Sequence, residues 1–365
     1  MDYDILLKNA RVWTGDEFLN GLQSVAVAGG KIAAIGDCPG TTAYTVDVKG
    51  SILSPGLIDS HVHIRGCSPD SFSIGIEAAG FPFGVTAAVE ASASKLDGSR
   101  ILDNMLMKTY VFVAAQFEGK TFLPEKTDEL VQAYGDRALG VKVFFDTCMP
   151  MMTEGDAAPL EAVCKYARAR GLKVLVHCTR SPVPMAQMLD ILSPGDICTH
   201  IFHTAGHNAL EDDFESLIQA QKRGIILDDG MAGGGHTNFD MIRKADEKGF
   251  TPNTISTDLT PGSAFRKGGC YGLTMCMNIL RSMYIDEEKI FKMVTGDAAR
   301  AIGKEQEIGF LEVGRPADLC VLKYGATPYK IKSSGNAESQ LALGYVNLLT
   351  ICQGTIMFRS LQNEI

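Results

Sequence analysis

A chain of 365 residues that is 45% hydrophobic is long enough for a barrel, which often runs to about 250 residues, plus a smaller module. Its formal net charge of −9, with no basic run, argues against nucleic acid as a partner, because phosphate binding needs clustered Lys and Arg. MDYDILLKNA at the start lacks a charged n-region ahead of an apolar stretch, and no run of about 18 apolar residues follows, so neither secretion nor membrane insertion is expected. The ten cysteines form no CxxC pair and read as reduced core residues of a cytoplasmic protein.

From Tyr3 to Leu53 the runs are short and strand-like: DILLKNARVWTG, SVAVAGGKIAAIGD and YTVDVKGSILSP. Gly29-Gly30 sits between two β-rich runs with no strand-to-helix switch and no G-x-G-x-x-G spacing, so it reads as a hairpin turn and not a phosphate cradle. After Pro55-Gly56, apolar β-rich runs alternate with helical stretches, the signature of parallel βα units. The expected strands are 57–60, 85–91, 110–115, 139–145, 173–178, 197–202, 224–228 and 254–258. Segments such as PLEAVCKYARARG and ALEDDFESLIQAQKRG lie between them, apolar at helical spacing and closed by Gly171 and Gly224. From Ile308 the chain returns to short strands, ADLCVLKY and NLLTICQGTIMFRS. The fold class expected is α/β: a (β/α)8 TIM barrel over 54–307 beside a small discontinuous β-sandwich domain made from 1–53 plus 308–365.

The sharpest local pattern is PGLIDSHVH, residues 55–63. Residues i and i+2 of a strand share a face, so His61 and His63 present two imidazoles side by side, a preferred donor type for zinc and similar metals. A surface strand would give the same pattern. Active sites on this fold gather at the C-terminal ends of the strands, where Lys142, His177, His200 and Asp258 are expected at the fourth, fifth, sixth and eighth. Each alone reads equally as a snorkelling lysine, a hydrogen-bonded core histidine or a helix cap. Together they require coincidence at one end of one barrel.

PGLIDSHVH, the strand-end His, His and Asp, and the late segment GDAARAIG…GFLEVGRPADLCVL resemble the amidohydrolase superfamily over essentially the whole chain. The resemblance implies two divalent metals, with zinc the first choice. His61, His63 and Asp258 would hold one, His177 and His200 the other, and a CO2 adduct of Lys142 would bridge them. An ammonium cannot ligate a cation, whereas its carbamate is an anion with two oxygens. His203 and His207, in IFHTAGHN, are alternatives to His200, and Glu118 is an alternative to Lys142. Metal identity is not readable from such ligands.

The resemblance further implies a metal-activated water attacking an acyl carbon, with Asp258 as general acid/base. Deaminases of the superfamily carry a Glu shortly after the fifth-strand His; here the stretch is HCTRSP, so amide or ester hydrolysis stands ahead. HVHIR resembles the HxHxR of dihydroorotases and keeps a cyclic amidase as the rival, while EASASK and TDLTP depart from that subgroup. The short loops and STDL are similar to acyl hydrolases called deacetylases. The substrate expected is a small acylated acid, with Arg65 or Arg180 as anion partner unless these form structural ion pairs. The loop MAGGGHTNF reads as a substrate loop, its glycines admitting a ligand or permitting movement, with His236 a contact. A metal-free scaffold is a further alternative, and a symmetric homo-oligomer is the default.

Overall fold

The structure, a computed structural model, describes residues 2–42, 44–264, 269–334 and 338–361. Eight parallel strands, Leu57–Val62, Val85–Ala93, Lys108–Ala114, Ala138–Phe144, Lys173–His177, Ile197–Thr199, Ile226–Gly230 and Thr254–Ser256, follow one another in a single sheet. The ring is completed where Asp258 N–H donates to His61 O at 2.8 Å and His63 N–H to Leu259 O at 3.3 Å. Parallel strands covered by helices are buried on both faces, so they read as continuous apolar runs. VTAAVEASA, the second strand, is buried at every position.

The helices lay one stripe on this barrel. In Ala158–Ala169 the buried set includes Leu160, Val163, Cys164 and Ala167, the i, i+3, i+4, i+7 spacing of one helical face. Gly171, at φ 67°, supplies the left-handed residue that ends the turn.

Two strands stop earlier than their apolar runs suggest. The sixth ends at Thr199 and the eighth at Ser256, so His200 and Asp258 lie just past the strands. Both turn left-handed, at φ 69° and φ 47°. Non-glycine residues are strained there, at a cost of order 1 kcal/mol or more, and such strain gathers at functional sites.

The smaller β unit is discontinuous in sequence. Its sheet runs in the order Thr355–Arg359, Glu338–Cys352, Leu319–Lys332, Ile52–Pro55, Ile5–Val12, Gln23–Ala28, Lys31–Gly36. N- and C-terminal segments meet where Ile52–Pro55 pairs antiparallel with Leu319–Leu322. Gly29 and Gly30, at φ 57° and 74°, form the two-residue turn expected of them. Leu7, Val12, Val25, Leu53, Leu319 and Val321 belong to a core of this unit's own. Trp13, fully buried, donates Nε1–H to Thr295 Oγ1 at 2.9 Å and so fastens the sheet to the barrel. All ten cysteines are free, eight of them buried. Among the described residues no helix is long and apolar enough to cross a membrane.

Candidate metal centre

The carboxyl ends of the strands bring together five of the seven histidines. His61, His63 and Asp258 form one group of potential ligands, and His177, His200 and His236 a second, the ligand atoms of each within 4.8 Å of one another. Asp258 Oδ1 lies 3.1 Å from His63 Nε2 and 3.4 Å from His61 Nε2, and its Oδ2 is 3.8 Å from His200 Nε2. Lys142 Nζ reaches 3.4 Å from His61 Nε2. The rings of His61 and His200 are 5.1 Å apart, so the two groups are contiguous.

The outward nitrogen of each of four rings is occupied, and for His61 and His200 this fixes the tautomer. Thr199 Oγ1 gives its only proton to Asp228 Oδ2 at 2.7 Å, so His61 Nδ1, 3.1 Å away, must donate to it and His61 Nε2 is bare. His200 Nδ1–H donates to Gly230 O at 2.6 Å, leaving a buried Nε2 with no partner. His63 Nδ1 faces Ser92 Oγ at 3.2 Å and Glu90 Oε1 at 3.5 Å. His177 Nε2 faces Asp146 Oδ2 at 3.3 Å and touches Thr179 Oγ1. This is the outer-shell pattern that orients imidazoles toward a metal. Lone pairs converge on one buried space with a carboxylate among them, a donor set that fits divalent cations such as zinc.

The charges follow from burial. Burial pushes His177 down to about 3 and His200 well below the ordinary histidine value, which keeps these rings neutral and able to ligate. Burial also lowers Lys142 to about 8, against the pull of Asp258 and Asp228. For Asp258 burial acts upward, but His61 and His63 outweigh it and hold the carboxyl below the usual range.

Other residues singled out from the sequence lie apart from these groups. Glu118 is exposed in a short hairpin, Phe117–Glu118 with Thr121–Phe122. His203 is buried, its Nδ1 accepting from Ala205 N–H at 3.2 Å. His207 pairs with Glu211 at 2.7 Å and Glu154 at 3.5 Å. Arg180 holds Asp146 through Nε at 3.0 Å and Nη2 at 2.8 Å, the structural ion pair that was one of its two readings. Arg65 is exposed, two residues beyond His63.

Residues passed over in the sequence complete the surroundings. Glu90 accepts from Ser68 Oγ at 2.6 Å and from Ser92 N–H at 2.7 Å beneath His63. Asp228 accepts hydroxyls from Thr199, Thr254 and Ser256, each at 2.7 Å. An acid inside an apolar strand run was the available signal for both, since buried carboxylates are rare without partners. Phe72, 40% exposed, sets its ring 4.3 Å from that of His63; no sequence signal pointed to it.

Against known proteins, the sequence pattern of the amidohydrolase family matches residues 52–356. A deacetylase of Agrobacterium fabrum is 29% identical over 320 residues, covering 80% of this chain and 76% of the relative. A deacetylase of Enterococcus faecalis is 25% identical, covering 98% of this chain and 99% of its own. Among solved structures, a dihydroorotase superposes with a TM-score of 0.86 at 25% identity, covering 98% of this chain and 99% of that one. An adenine deaminase with the same TM-score, at 22% identity, shares the fold.

Proposed function

The chain belongs to the amidohydrolase family and is a hydrolase of amide bonds, and from that premise we propose a two-metal deacylase that frees a small carboxylic acid from its N-acyl or O-acyl group. The observation that carries this reading is the gathering of buried imidazoles around Asp258, with Nε2 of His61 and of His200 left without a proton by the bonds at their Nδ1. His61, His63 and Asp258 would hold one divalent ion, His177 and His200 the other, and a carbamate on Lys142 would link them. In this reading residues 54–307 carry the chemistry and 1–53 with 308–365 form the supporting β unit.

When bound, such a pair of ions brings the pKa of water toward 7 and polarises an acyl carbonyl. Asp258, kept ionised by its histidine neighbours, takes the proton from the attacking water and returns it to the departing amine or alkoxide. Lys142 can serve as a CO2 acceptor because burial lowers its pKa to about 8, so the nucleophilic free amine is accessible near neutral pH. His236 contacts the substrate from beside His177 and His200. Phe72 supplies an apolar wall next to His63.

Arg65 is the better anion partner for a substrate carboxylate, because Arg180 already holds Asp146 with two of its nitrogens. Arg65→Met is expected to raise KM, and Arg180→Met to act instead through the placement of His177. The deacetylase relatives favour acyl acids. The dihydroorotase likeness favours cyclic amides as the second reading. Acid release by zinc-loaded, bicarbonate-treated protein against N-acyl amino acids, O-acyl hydroxy acids, dihydroorotate and hydantoins separates them, with metal content measured on the same sample. Turnover of the acyl acids alone supports the deacylase; turnover of the rings alone replaces it, and absence of metal would return the chain to a scaffold.

A further inference from the structure

The strand Leu319–Lys332 is much longer than the sheet it serves. It pairs with the other long strand, Glu338–Cys352, from Leu319 onward, but only Leu319–Leu322 pairs with Ile52–Pro55. The two make a hairpin that leaves the small sheet and reaches roughly 30 Å along the barrel, at about 3.3 Å per residue. Midway it is braced by the helix Leu273–Ser282, whose Asn278 donates to Tyr345 O at 3.0 Å and accepts from Tyr345 N–H at 2.6 Å. A Cβ on Gly344 would stand 2.4 Å from Asn278, so the approach needs glycine there.

The described end of the hairpin lands on the loop that carries His236. Ser334 N–H donates to Thr237 O at 2.8 Å, and Asn238 Nδ2–H donates to Ser334 O at 3.0 Å. Ser333 and Ile331 are fully buried. Gly234, at φ 85°, would place a Cβ 2.1 Å from Lys332 O, and Gly233, at φ 65°, one 2.9 Å from Ser263 O. The glycines of this loop therefore let two backbones close on it, a reading different from ligand approach or movement. From its other side Asn238 N–H is bound to Phe202 O at 2.9 Å, and Thr237 Oγ1 donates to Asp229 at 3.2 Å. The ring between these anchors, His236, sits 4.6 Å from that of His200 and 5.4 Å from that of His177.

We propose that the described end of the strand Leu319–Lys332, through Ser334, is a positioning element of the active site: Ser334, bonded to Thr237 and Asn238, holds His236 over His177 and His200. Barrel strands fix the ligands from below, whereas His236 sits in a loop and depends on a second unit for its place. Asn238 and Ser334 are positioning residues that act through His236, and the functional half of the inference rests on the deacylase reading.

Asn238→Asp isolates the clamp. An Asp side chain keeps the N-cap that Asn238 gives to Asp240 and Met241 but has no donor for Ser334 O. Hydrogen exchange of 231–239 is expected to quicken, the affinity for acetohydroxamate, a chelating acyl analogue, to fall, and kcat/KM to drop ~10-fold, as small misplacements do, with metal content unchanged. In a His236→Ala background the same change is expected to add nothing, because both act on one group. Ser334→Pro, which removes the other bond, repeats the test independently. Unchanged exchange, or losses that multiply in the double variant, would overturn the proposal. Altered exchange and acetohydroxamate affinity in a protein that cleaves no acyl acid would keep the positioning element and sink the deacylase.

Discussion

The two ends of the barrel differ in how their polar groups are matched. At the amino ends of the strands lies a groove of about 1020 Å³, lined by residues including Met105, Tyr110, Tyr134, Arg137, Lys304 and Glu307. Several of its polar groups are matched: Tyr110 Oη donates to Glu307 at 3.0 Å, and Lys304 pairs with Glu307 at 3.0 Å. At the carboxyl ends imidazoles crowd together, most of them buried, and His200 Nε2 has no hydrogen-bond partner. The unmatched imidazole and the strained backbone, at φ 69° for His200 and 47° for Asp258, gather at the end where this fold assembles its sites.

The widest separation between the ends is expected from Asp258→Asn. If this carboxylate moves the proton, kcat falls by about 10²–10⁴-fold while metal analysis still finds ions on the histidines. A full hydrolytic rate with both ions bound would remove Asp258 from its role. Next comes the outer contact of His61. Thr199→Val keeps the shape but deletes the acceptor of His61 Nδ1–H, and metal affinity or activity should drop about 10–100-fold, measured by competition with a chromophoric chelator.

At the opposite end Tyr110→Phe should leave kcat/KM unchanged and cost stability of order 1 kcal/mol for the lost hydrogen bond, read from denaturant unfolding. An altered kcat/KM would blur the contrast between the two ends.

An effect seen only in the pH dependence of stability divides two neighbours on the seventh strand. Asp228 accepts three hydroxyls, whereas Asp229 accepts from Thr237 alone, has a buried oxygen without a partner, and is pushed by burial to about 8. A carboxyl raised in the folded state stays protonated while the unfolded chain ionises, so it withdraws stability as pH climbs from about 4 to 8. Asp229→Asn removes that loss. Its Tm advantage over the parent should grow between pH 5 and pH 8 and then level; a constant difference would mean Asp229 does not titrate with folding.

Much of the site was legible because its signals were local. The i, i+2 spacing of His61 and His63 fixes a shared face whatever the rest of the chain does, and apolar runs closed by glycine marked the barrel strands and helices. Boundaries were less legible: the apolar run through Phe202 suggested a sixth strand that ends at Thr199, since periodicity cannot report a left-handed residue. Glu90 and Asp228 were visible as acids in apolar runs. Their purpose was not, because their partners, Ser68 and Ser92 or Thr199 and Thr254, come from other positions of the fold.

The sequence by itself determined the alternation of strand and helix, the shared face of His61 and His63, and the family to which the chain belongs, since these depend on spacing along one strand and on patterns within short windows. Only the tertiary structure decided that His200 and not His203 joins the cluster, that Arg180 is engaged by Asp146, and that a hairpin from the far end of the chain rests on the loop of His236. Each of those depends on which backbone turns and which distant side chains meet. A chain read one segment at a time carries no record of such meetings.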